Sequence, residues 1–201
     1  MANPNAANKL TEAAPAIQTD ELIGKADDLL PESLAAKKKI IDDVLSGRIT
    51  LRGNKMKANF GEMVCDYNFL SRQWTLNGRT GTFKRISRET TQTLDDPIRH
   101  GIDGVYEFSN PGIPPTPPPK YVVNESKFGG SRLGKEATKS GGSQMMERWI
   151  VFNLKKSVDK NLMDDILLHG YDSVVTRVAS DGTSSFSKLN SSARVIQEYW
   201  P

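Results

Sequence analysis

The residues with the most chemistry to offer are a carboxylate and an ammonium two positions apart. In YVVNESKF the side chains of an extended chain alternate faces, so Val123, Glu125 and Lys127 point one way and Asn124 and Ser126 the other. Asp103 stands at the head of the preceding strand candidate, in HGIDGVY, and antiparallel pairing of the two strands brings it alongside Glu125. Two carboxylates and one lysine then converge. Carboxylate oxygens suit hard divalent cations such as magnesium or manganese, zinc being the weaker candidate. Such an ion polarises a phosphate and lowers the pKa of a bound water, while a lysine can orient or help deprotonate that water and offset developing charge. Taken alone, Glu-x-Lys is a common solvated pair on a sheet edge, and the position of Asp103 is what gives it meaning.

The elements that must position these residues are readable from periodicity. Leu34, Ile41, Val44 and Leu45 predict an amphipathic helix over 32–46, ended by Gly47 in a left-handed conformation. Met56, Phe60, Met63, Val64, Tyr67 and Leu70 predict a stronger helix over 54–72, with Asn54 as its N-cap. WTL and TFKRI flank NGRTG, the pattern of a β-hairpin over 74–87. GVYEF and KYVVNESKF read as strands separated by SNPGIPPTPPP, a stiff surface connector with few backbone donors. GGSRLGKEATKSGGS has the composition of a mobile loop; helices over 144–156 and 158–169 follow, then the strands YDSVVTRVA, SFSKL and ARVIQEYW. The expected class is mixed α/β, or α+β, around a central sheet.

Composition bounds the rest. A chain of 201 residues with 37% hydrophobic and 25% charged side chains suits one domain with a sizeable core. Residues 1–30, rich in Ala, Asn and Pro and acidic in balance, read as a flexible lead-in or linker, leaving 31–201 as the domain and about 54–178 as its core. The net charge of +3 permits a polyanionic partner, and Lys and Arg concentrate over 72–88 and 120–139. One cysteine, Cys65, excludes a disulfide framework and a cysteine-based zinc site, and reads as a core residue. The N-terminus lacks the charged start and apolar run of a signal peptide, and no stretch approaches the roughly 20 apolar residues of a membrane span. Export, if it occurs, is then left to a specialised system.

An aspartate at a strand start followed by Glu-x-Lys on the paired strand resembles the signature of the PD-(D/E)XK, or restriction-endonuclease-like, nuclease superfamily. Here it reads Gly101-Ile102-Asp103, then Glu125-Ser126-Lys127, with Ile102 where proline is usual. The resemblance implies a central mixed sheet flanked by helices and a magnesium or manganese ion held by Asp103, Glu125 and the backbone carbonyl of Ser126. It adds Glu62 on the first core helix as a further ligand, with Asp66 one turn later as a decoy, and Gln144 on the helix after Glu-x-Lys. More narrowly, the run from GIDGVY through KYVVNESKFGGSRLGK to QMMERWI, within about residues 55–156, is similar to nuclease toxin domains at the C-termini of bacterial polymorphic and contact-dependent toxins. That likeness implies delivery into competitor cells, cleavage of DNA in their cytoplasm, and a cognate immunity protein, without a small-molecule cofactor. Arg132, Lys135 and Lys139 would contact the nucleic-acid backbone.

Rival readings draw on other residues. Gly129 to Lys135 matches most of a phosphate-binding loop, but Glu136 replaces the hydroxyl that loop needs for magnesium. His100 and His169 stand in no metal-binding or nucleophile-base spacing, although His100 is close to Asp103. A non-catalytic nucleic-acid-binding module would use the basic loops with Trp74, Tyr106 and Tyr121 for stacking. An RNase of the same fold is the third alternative, and no residue separates it from a DNase.

Overall fold

The computed structural model describes residues 20–88, 90–111, 119–135 and 142–201, with side chains from residue 32 onward. The chain divides into two compact units, Met1–Pro31 and Glu32–Pro201. In the first, the described backbone is helical from Asp20; the account below concerns the second. Residues 112–118 of the Pro-rich connector and 136–141 of the Gly-rich loop, Lys139 included, lie outside the described residues.

Helix α1 is Asp20–Leu45, starting well before residue 32: Leu22, Ile23, Ala26, Leu29 and Leu30 recur at helical spacing, a period outweighed in the sequence reading by the Ala, Asn and Pro of residues 1–19. It ends as its sequence predicts, with Gly47 at φ 76° and its N–H on the Val44 carbonyl at 3.0 Å. Helix α2 is Gly53–Leu70 and buries Phe60, Met63, Val64 and Phe69; its cap is Arg52, not Asn54, since Gly53 at φ 72° already turns the chain into the helix. The hairpin is tighter than expected. Strands β1 (Trp74–Leu76) and β2 (Arg79–Gly81) close around Asn77 and Gly78, both at positive φ, the two-residue turn that Asn-Gly favours. Phe83–Arg85 is therefore not the second arm of that hairpin but a separate strand, β3, in the main sheet.

The main sheet has the order β3-β4-β5-β6-β7-β8, with β4 Gly104–Phe108, β5 Tyr121–Phe128, β6 Tyr171–Val178, β7 Ser184–Leu189 and β8 Val195–Glu198. Only β5 and β6 are parallel. The crossover between them carries α3 (Glu147–Ser157) and α4 (Lys160–His169), the latter capped by Asp159, whose carboxylate accepts the Leu162 N–H at 2.9 Å. This is the expected mixed α/β class, a central mixed sheet flanked by helices.

Alternation along the strands sorts two cores. On one side Phe69 of α2 stacks on Tyr106 with centroids 4.2 Å apart, amid Trp74, Phe83, Val122, Phe186 and Trp200. On the other, Val105, Tyr121 and Val123 pack against Trp149, Ile150, Leu154 and Ile166. Ile41 of α1 joins Phe60, Met63 and Val64. Trp74, Tyr106 and Tyr121, the stacking platforms of the binding-module reading, are at most 4% exposed and belong to the core. Cys65 is buried as expected, and burial pushes its thiol up, away from reactivity. Among the described residues no helix is long and apolar enough to cross a membrane.

Candidate active site

The register of β4 and β5 pairs Gly104 with Asn124 and Val105 with Val123. One step further along it, Asp103 comes beside Glu125. Val105 and Val123 lie in the core beneath α3 and α4, so alternation carries Asp103, Glu125 and Lys127 onto that same face, where the apolar core gives way to polar residues. The glycine after Asp103 is a packing requirement. A Cβ at Gly104 would fall 2.5–2.7 Å from the hydroxyl and ring of Tyr106, a side chain sealed in the other core. Gly104→Ala is therefore expected to cost about 1–3 kcal/mol, as overpacking does, seen as a lower midpoint in urea at unchanged slope; a neutral substitution would contradict this packing.

Within the site every carboxylate is short of solvent. Asp103 Oδ2 accepts the Ser126 N–H at 2.8 Å. Glu125 is 2% exposed; its Oε1 accepts from Lys127 Nζ at 2.6 Å and from Gln144 Nε2 at 2.5 Å. Its Oε2 is buried without a hydrogen-bond partner. Glu62, reaching in from α2, accepts from the Thr91 hydroxyl. Burial, and then the charge of Asp103, push Glu62 up to about 7. Burial also holds Glu125 at about 7, with Lys127 pulling it back and Glu62 pushing it further up. Asp103 is raised well above the usual carboxylate range by burial and by Glu125.

Gln144 stands where it serves Glu125, but not on a helix. Met145 at φ 67° breaks the helical run, so α3 starts at Glu147. Gln144 is instead clamped in the preceding turn: its N–H donates to the Gly134 carbonyl at 2.9 Å, and its Oε1 accepts the Gly134 N–H at 3.0 Å. Asp66 is no rival to Glu62. It is 1% exposed and bound by Lys37, Arg85, Thr90 and Tyr106, and although burial opposes it, Arg85 and Lys37 hold its carboxyl well below the usual range.

Glu62, Asp103, Glu125, Ser126, Lys127 and Gln144 all line one cleft of about 680 Å³. Sequence reasoning missed two cations of its wall: Arg99 comes, with His100, from the irregular segment before Asp103, and Lys156 from the last turn of α3. Only the nearness of His100 to Asp103 signalled that wall. Gly134 reaches the cleft, whereas Arg132 and Lys135 on the same loop are exposed and do not line it.

These residues fit a hard divalent cation. In an extended strand the N–H and C=O of one residue face the same neighbour, so the Ser126 carbonyl faces the edge on which its N–H meets Asp103. The charge of Glu125 raises Asp103, that of Asp103 raises Glu62, and one oxygen of Glu125 is buried without a partner, an arrangement a cation would settle. Among the described residues no three His, Cys, Asp or Glu side chains form a ready ligand group; Asp103 and Glu125 make a pair, which suits an ion that keeps several waters. Compared with known proteins, no family model matches the chain, and no curated protein or solved structure does.

Proposed function

We propose that this chain is a divalent-metal-dependent nuclease that hydrolyses phosphodiester bonds of DNA, with Asp103, Glu125 and Lys127 at its centre. The carrying observation is the convergence of those three side chains at the end of β4 and β5, with a buried unpartnered oxygen on Glu125, in a cleft that also holds Arg99 and Lys156. A bound magnesium or manganese ion would supply Lewis acidity to the phosphate and an acidified water. Asp103, Glu125 and the Ser126 carbonyl would hold it, and Glu62 would reach it directly or through water. Lys127 orients the attacking water and offsets charge on the phosphorus. Gln144, anchored on Gly134, keeps the Glu125 carboxylate from rotating. Arg99 and Lys156 meet the phosphate backbone, with Arg132 and Lys135 as outlying contacts. The toxin likeness extends the proposal to an antibacterial effector delivered into a target cell and neutralised by an immunity protein.

The test is incubation of the purified chain with supercoiled plasmid and with total RNA, in magnesium or excess EDTA. DNA breakdown in magnesium alone is the expected result. Loss of RNA alone redirects the reading to an RNase, and binding without cleavage, persisting in EDTA, favours a non-catalytic module.

A further inference from the structure

Asp103 is held by more than the strand register. Arg85 of β3 donates through one terminal nitrogen to the main-chain carbonyl of Asp103 at 2.6 Å, and through the other to the carboxylate of Asp66 on α2. Asp66 Oδ2 in turn accepts from Lys37 Nζ of α1 and from the Thr90 hydroxyl, each at 2.5 Å, and Oδ1 accepts from the Tyr106 hydroxyl at 2.5 Å. Lys37 and Asp66 are 2% and 1% exposed. None of Lys37, Asp66 and Arg85 lines the cleft. Buried ionic groups of this kind are often replaceable by apolar residues with no loss of stability, so stability alone is a weak account of them.

We propose that Lys37, Asp66 and Arg85 form a positioning relay that fixes the main chain at Asp103 and thereby aims its carboxylate; its meaning for catalysis rests on the nuclease reading. Arginine is the residue this requires. Its planar guanidinium spans two acceptors at a set separation, Asp66 on one side and the Asp103 carbonyl on the other, whereas the ammonium of lysine is a single point of charge. Arg85→Lys thus keeps Asp66 paired while releasing Asp103. The relay also makes the docking of α1, through Lys37, a condition of site geometry.

The amide of Ser126 reports on Asp103 without any activity, because it donates to Asp103 Oδ2 at 2.8 Å. In Arg85→Lys, hydrogen exchange followed by NMR is expected to quicken at Ser126 by about tenfold or more, with Val122 in the same strand unchanged. Cleavage should lose kcat with little change in KM. A folded Arg85→Lys protein with unaltered Ser126 exchange overturns the relay. Should that variant not fold, Lys37→Met carries the same measurement, with about threefold faster exchange expected at Ser126 and no change counting against the proposal. A wild-type chain that cleaves nothing sinks the nuclease reading, yet the Ser126 result still decides the relay.

Discussion

Asp103→Asn is expected to raise the melting temperature of the metal-free protein by about 3–6 °C, roughly 1–2 kcal/mol at this size, while lowering DNA cleavage by on the order of a thousandfold. Both effects have one cause. Asp103 stands beside the buried Glu125, whose charge raises it, and Asp103 in turn raises Glu62, a concentration of carboxylates that a divalent cation would neutralise. Asparagine cannot ionise, retains an oxygen for the Ser126 N–H, and presents an amide donor on the side of Glu125. A thermal melt in EDTA checks the first effect. A lower melting temperature would mean that the carboxylates do not crowd one another.

The second large effect is on pH dependence. Glu62 and Glu125 are held at about 7 in the folded protein against an ordinary value of 4.5. A folded-state pKa above the unfolded one means that the native state binds more protons between those limits. Stability of the metal-free protein is then greatest below about 4.5 as far as these groups are concerned, falls as pH rises toward about 7, and is level above it. The loss is on the order of 3 kcal/mol for each group across that window. Magnesium should oppose it, since the ion binds the ionised carboxylates and stabilises by mass action. Urea midpoints at pH 5.5 and 8 are therefore expected to fall with pH in EDTA, and to fall less or rise in magnesium. A fall of equal size in both would separate these carboxylates from metal binding.

How far the site could be read from sequence depended on what each residue's position rests on. Asp103, Glu125 and Lys127 were legible because strand alternation and one antiparallel pairing suffice to bring them together. Helix α2 was legible from its apolar period, but Glu62 on it was singled out by the resemblance to the nuclease superfamily and not by the period. Arg99 and Lys156 were not legible, because they reach the cleft from an irregular segment and from a helix end with no period linking them, and His100 was signalled only by its nearness to Asp103. Arg85 was hidden inside a misassigned hairpin: the turn at Asn77 and Gly78 uses RTG as its second arm and frees Phe83–Arg85 for the main sheet. Gln144 was placed on a helix because nothing in QMMERW announces the positive φ of Met145. Local pattern carries faces of elements; contacts between distant segments require the fold.

The most direct test of the central claim is cleavage of supercoiled plasmid by the wild-type chain, Asp103→Asn and Lys127→Met, each with magnesium and with EDTA, after thermal melts show that all three are folded. Nicking by the wild type in magnesium alone, abolished in both variants, is the result expected of a metal site built on Asp103 and Glu125 and served by Lys127. Cleavage that survives EDTA, or that either variant performs at the wild-type rate, would place the chemistry elsewhere.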